Sequence, residues 1–72
     1  MSIEVEAQIA GSVWKIETSV GSDVEEDDVL LIIESMKMEI PVEAPDGGRV
    51  EEIRVQEGQA VEEGDVLVVL AD

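Results

Sequence analysis

Lys37 is one of two lysines in the chain, and it stands in the run Glu34-Ser35-Met36-Lys37-Met38-Glu39. A primary amine held between two thioethers, with a carboxylate outside each, is an unusual setting for a lysine that only solvates a surface. An amine on a flexible four-carbon stem can be acylated. Methionines offer soft, adaptable contact surface to a modifying enzyme and to later partners. The run therefore reads as a presented acceptor for a covalent prosthetic group. Lys37 is the attachment point, Met36 and Met38 are flanking recognition residues, and Glu34 and Glu39 are secondary ones. The competing reading makes Met36 and Met38 ordinary core fillers around an exposed lysine.

Little else in the chain is equipped for chemistry. Histidine and cysteine are both absent. The common general base, the common metal ligand, thiol ligands and disulfides go with them. A freestanding enzyme is the least favoured class on these grounds. Asp23, Glu25 and Asp27, with Glu34 eleven residues after Asp23, mimic the spacing of a calcium loop. Asp28 occupies the sixth position where such a loop needs glycine, and strand-like sequence flanks it. A solvated acidic loop is the better reading, and no metal site is expected. Trp14, the single aromatic, is read as an anchor in the core or against a sheet.

The elements that must position Lys37 are strands. The chain has 72 residues, and 44% of them are hydrophobic. Most of these are Val, Ile, Leu and Ala, a composition that favours pleated, half-buried surfaces. Ile3, Val5, Ala7 and Ile9 alternate with polar residues, which predicts a strand over residues 3–9. Val13 to Thr18 and Arg49 to Val55 are strands with a skipped apolar beat, the mark of a bulge. Val29–Ile33 is continuously apolar, which predicts burial on both faces. Ile40 to Ala44 alternates and contains Pro41, which has no N–H to donate and belongs on a sheet edge. Val66–Leu70 closes the set. Val20 to Asp23, Pro45 to Gly48 and Gln56 to Gln59 read as turns, and Val24 is the buried anchor of an acidic loop. Few residues separate Val29–Ile33 from Ile40–Ala44, so Lys37 must sit in a turn. Ser35 to Met38 contains no glycine or asparagine, which argues against the primed hairpin turns and for a type I turn.

Displaced by 37 positions, the chain overlays itself. Gly11 meets Gly48, Val13 meets Val50, Ile16 meets Ile53 and Gly21 meets Gly58. Val24-Glu25-Glu26 meets Val61-Glu62-Glu63, and Asp28-Val29-Leu30 meets Asp65-Val66-Leu67. Two copies are too few for a solenoid. They predict one domain over residues 1–72, with repeats near 10–34 and 47–71. The two halves should form antiparallel sheets that share a core about a pseudo-two-fold axis. Lys37 lies in the link between the halves.

The segment from Glu34 through Pro45, with Gly47-Gly48 after it, resembles the acceptor segment of the biotinyl/lipoyl attachment domains. It is most similar to the biotin carboxyl carrier group and the small stand-alone biotin/lipoyl attachment proteins, and the resemblance covers nearly the whole chain. In that family a lysine between two methionines carries biotin in amide linkage. The resemblance implies an all-β flattened barrel of two antiparallel sheets, with the acceptor on a hairpin turn and the termini at the far end. It implies covalent biotin on Lys37, attached by a biotin protein ligase. The biotin would shuttle a carboxyl group from a biotin carboxylase to a carboxyltransferase acting on an acyl-CoA or a 2-oxo acid. The chain itself would be a carrier without catalytic residues. Ser35 stands where the family usually has alanine or valine. Lipoyl domains usually place aspartate and alanine at the positions of Met36 and Met38, so a lipoate carrier is the weaker alternative, and an unmodified β interaction module is a third.

The net charge is −15, from 19 acidic residues against four basic ones. Nucleic acid and anionic membrane surfaces repel such a chain, and neither is expected as a partner. The acidity reads as a solvated surface, or as adaptation to high salt, where screening relieves self-repulsion. The opening residues lack a basic, apolar leader pattern, which makes the cytoplasm the expected location.

Overall fold

The computed structural model describes residues 2–71, and every element in it is a strand. The strands are β1 (Ser2–Glu6), β2 (Gly11–Ile16), β3 (Asp23–Val24), β4 (Val29–Ser35), β5 (Met38–Glu43), β6 (Gly48–Ile53), β7 (Ala60–Val61) and β8 (Val66–Ala71). They form two four-stranded sheets in the orders β1-β8-β6-β3 and β5-β4-β2-β7, with antiparallel pairing throughout. Each sheet takes two strands from each half of the chain, so neither half can complete a sheet alone. The result is a two-sheet barrel, elongated to 33 × 17 × 17 Å.

The pseudo-two-fold axis is visible in the hydrogen bonds. The Gly21 N–H donates to the Val50 carbonyl at 2.8 Å, and the Gly58 N–H to the Val13 carbonyl at 2.6 Å. Glu17 N–H reaches Leu30 as Arg54 N–H reaches Leu67, and Ala44 N–H reaches Asp28 as Ala7 N–H reaches Asp65. Each partner is displaced by 37. The equivalence runs further towards the N-terminus than residues 10–34 suggested. Ile3 overlays Ile40, and Val5-Glu6-Ala7 overlays Val42-Glu43-Ala44, so β1 and β5 are equivalent edge strands. Pro41 sits on β5, at the edge of its sheet, opposite Ile32.

The skipped beats are bulges, as their spacing predicts. Register shifts fall between Val13 and Lys15 against β4, and between Val50 and Glu52 against β8. The extra residues are Trp14 and its equivalent Glu51. That overturns the expectation for Trp14, which is 46% exposed. A bulged residue leaves the inward alternation, and a position whose repeat mate is a glutamate is an outward one. A second pair of bulges, between Val29 and Leu31 and between Val5 and Glu6, changes the burial of the apolar runs. Leu30 and Leu31 are both buried, as are Leu67 and Val68, while Val29 is exposed and Ile32 half-buried. The run Val29–Ile33 is therefore not buried on both faces throughout. Residues 3–9 do not form one strand either. β1 ends at Glu6, because the chain bends there to bond Ala7 to Gly64 and Asp65, and Ile9 is exposed.

The core is wholly aliphatic among the described residues, built on Leu30, Leu31, Ile33, Leu67 and Leu70, with Val13 and Val50 beside them. No polar side chain is buried there. Val24 and Val61 enter the core from β3 and β7, two-residue strands that the turn-rich sequence around them concealed.

Candidate functional site

Lys37 occupies the tip of the β4–β5 hairpin. Ser35 pairs with Met38, which leaves a loop of two residues, Met36 and Lys37. Their φ angles are 53° and 67°. Two successive left-handed residues in a two-residue hairpin loop make a type I′ turn, not the type I turn that the residue types favour. The right-handed twist of the strands decides this. A type I turn would splay them, whereas β4 and β5 stay paired along their length, from Val29–Glu43 to Ser35–Met38. Each non-glycine residue in this conformation costs about 1–2 kcal/mol, so the ladder beneath the tip holds the turn in a strained form.

Met36 is 90% exposed and Met38 is 64% exposed. That rules out the reading of the methionines as core fillers. Lys37 is exposed as well. Lys15 is paired with Glu17 at 3.6 Å, Arg49 with Asp23 at 3.2 Å and Arg54 with Glu52 at 2.9 Å. Among the described residues, Lys37 is thus the one cation of the four without an ion pair. Its amine stands in water at the end of a rigid two-stranded support.

One step below the tip, Glu34 and Glu39 lie directly opposite each other. Like charges in a cross-strand pair disfavour pairing, so this arrangement does not serve the hairpin's own stability. Both point outward, because their neighbours Ile33 and Ile40 pair on the inner face. The sequence placed both glutamates near Lys37 but did not reveal that they face one another. Nor did it single out Gly11. A Cβ there would collide with the Glu34 carbonyl oxygen and come within 2.8 Å of Ile33 Cγ2. The equivalent Gly48 meets Ala71 in the same way. The overlay of Gly11 on Gly48 was the available signal: each lets β2 or β6 lie close against its neighbour.

The acidic segment of the first half has other uses. The Asp28 carboxylate accepts from the Glu25 N–H at 2.9 Å, as Asp65 does from Glu62 N–H, and Asp23 accepts from Arg49. These groups close turns and tie β3 to β6.

The structure tests whether these residues fit a covalently attached group. The amine is accessible and unpaired among the described residues. The apolar groove nearest to it is lined by Ile33 and Ile40 but by nothing from residue 34 to residue 39. The tip can bear a group on an extended arm that this groove does not enclose. The pair Ser2–Ala71 is the two-fold mate of Glu39–Glu34 and lies at the other end of the barrel: β5 runs down from the tip to Glu43, and Gly48, five residues on, packs against Ala71.

Three similarities to known proteins bear on this geometry. Over 36 residues, half of this chain, the sequence is 44% identical to the biotin/lipoyl attachment protein of Bacillus subtilis, of which the match covers 49%. Over 40 residues it is 45% identical to the biotinylated protein TB7.3 homolog of Mycobacterium leprae, covering 56% of each. The match thus spans about half the length of these curated relatives. The fold superimposes on 6% of the urea carboxylase of Kluyveromyces lactis with a TM-score of 0.94 and 35% identity, using 99% of this chain. The model of the biotin/lipoyl family, described as "Biotin-requiring enzyme", matches residues 4–70; the chain belongs to that family.

Proposed function

We propose that this protein is a biotin carboxyl carrier and that Lys37 is its attachment point. The observation that carries the reading is the Lys37 amine itself, unpaired and water-exposed on a strained two-residue turn between two exposed methionines. A biotin protein ligase would read Met36 and Met38 as soft contact surface and acylate the Nζ of Lys37, with Glu34 and Glu39 as secondary contacts. Attached biotin supplies a ring nitrogen able to hold a carboxyl group, and that chemistry belongs to the cofactor. The chain's residues bind and position. The β4–β5 ladder fixes the direction of the stem, and the turn keeps the amine clear of the barrel. Tethering raises the local concentration of the group at both sites it visits. The partners proposed are a biotin carboxylase and a carboxyltransferase acting on an acyl-CoA or a 2-oxo acid, with the cytoplasm as the location. The chain contributes no catalytic residue.

Intact-mass measurement of the protein from its native host tests the proposal. A gain of one biotinyl group that disappears in Lys37→Arg is expected. A lipoyl mass at Lys37 would replace biotin by lipoate, and an unmodified protein in cells containing ligase and biotin would overturn the carrier reading.

A further inference from the structure

The two sheets do not pair with each other where β1 and β5 lie. β1 is the edge of one sheet and β5 the edge of the other, and the two-fold axis relates them. They border a groove of about 420 Å³ instead of pairing. Its apolar lining comes from Val5, Ile9, Ile33, Ile40 and Val42, and Ile9 is 37% exposed although it is large and apolar. Glu4, Glu6 and Glu43 line the same groove, and none of the four cations of the chain does.

The two edges are not equivalent in chemistry. β5 carries Pro41, whose missing N–H blunts it against a further strand. β1, Ser2–Glu6, contains no proline. The backbone groups on the side of β1 away from β8 are therefore the available ladder. A second copy of this chain is a poor occupant, because it would bring its own charge of −15 against these carboxylates. The seam calls for an extended segment with apolar residues on one face and lysine or arginine on the other.

We infer that the seam between β1 and β5 is a docking site for an extended, basic segment of another protein, which adds as a strand to β1. Its alternate apolar side chains enter beside Ile9, Ile40 and Val42, and its cations reach Glu4, Glu6 and Glu43. This site takes nothing from residues 34–39. It leaves the Lys37 tip free while the barrel is held, and it does not depend on what Lys37 carries.

The test is an NMR titration of the whole isotope-labelled protein with two synthetic heptapeptides of equal charge, one alternating lysine with valine and one alternating lysine with serine. The expected result is amide shifts concentrated in β1, β5 and Ile9, with the valine peptide binding about tenfold more tightly because its apolar side chains are buried in the groove. Ile9→Asn should remove that preference while the amides of the other strands stay in place. Glu6→Gln combined with Glu43→Gln should flatten the salt dependence. Equal binding of the two peptides, or shifts spread over the whole acidic surface, would show only general charge attraction and overturn the inference. So would broadening of the seam amides with protein concentration alone, which would assign the groove to a second copy.

Discussion

The left-handed turn at Met36 and Lys37 makes a prediction that separates backbone from side chain. If the two residues are held in αL by the ladder below them, then replacing them by the pair the turn prefers should stabilise the protein. In Met36→Asn combined with Lys37→Gly, both left-handed conformations become accessible at low cost. The gross gain is about 2–4 kcal/mol, from about 1–2 kcal/mol per non-glycine residue. The greater freedom of glycine in the unfolded chain takes back about 0.5–1 kcal/mol. Met36 is 90% exposed, so its loss removes little packing. A net gain of at least about 1 kcal/mol remains. That is a substantial part of the about 4–11 kcal/mol expected for a domain of this length, and it should raise Tm by at least about 4 °C.

The control is Met36→Ala combined with Lys37→Ala. It removes the same side chains and the same charge but leaves non-glycine residues at φ 53° and 67°. Thermal unfolding followed by circular dichroism at one salt concentration compares the two double variants. The Asn-Gly variant should melt well above the Ala-Ala variant and above the parent. If all three melt together, the tip stores no strain, and the account of a turn imposed by its strands is wrong.

Three further outcomes follow from the symmetry and the bulges. Gly11→Ala and Gly48→Ala each drive a Cβ into a neighbouring carbonyl oxygen; each should cost about 1–3 kcal/mol in denaturant unfolding, and only the former should disturb the Glu34 amide near the tip. Trp14→Ser should cost about 1–2 kcal/mol, less than loss of a fully buried aromatic, and acrylamide should quench the Trp14 fluorescence readily in the folded state, since the residue is 46% exposed at a bulge. Gly64, at φ 92°, is the mate of Asp27 at φ 75°; Gly64→Asp should therefore fall within about 1 kcal/mol of the parent, while Gly64→Val, with a branched Cβ in αL, should cost more than that.

What the sequence revealed, and what it concealed, divides along the two-fold. Alternation around Ile3 and Ile40, the skipped beats at Val13 and Val50, and the proline of β5 report on single strands. All of them were legible because side-chain period and hydrogen-bonding capacity are local properties. The overlay of Gly11 on Gly48 was equally plain, but its meaning lay in a carbonyl on another strand, which no local pattern contains. The size and aromaticity of Trp14 point inward, but the bulge on which it sits turns it out. Its repeat mate, Glu51, marks the position as an outward one. β3 and β7 were missed for a different reason: two residues are too few to alternate, and only Val24 and Val61 pointed inward. At the turn, residue preference points to type I while strand twist imposes type I′, and the twist wins. A conflict of that sort, in which a tertiary constraint forces poor turn formers into αL, is expected at functional positions.

The two-fold also explains why a duplicated fold presents a single closed tip, the one that carries Lys37. The pair Glu34–Glu39 continues into a covalent turn, so the strands are locked together beyond their last hydrogen bonds and Lys37 is carried on a closed loop. Its mate, the pair Ala71–Ser2, joins strands from opposite ends of the domain. The end that carries Lys37 is thus closed and strained, while among the described residues the other end shows the strand pairing of Ser2 with Ala71. Like-charged glutamates tolerated beneath the tip, and left-handed residues tolerated within it, both weaken the hairpin. The barrel keeps them only because β4 is anchored by Leu30, Leu31 and Ile33 in the core. Were Leu30 cut back to alanine, at a cost of about 2–5 kcal/mol, the loss should therefore appear first in amide exchange at Ser35 to Glu39. Uniform loss of protection across both sheets would instead show that the tip draws on no local reserve of stability, and that the strain at Lys37 is not held by the strand beneath it.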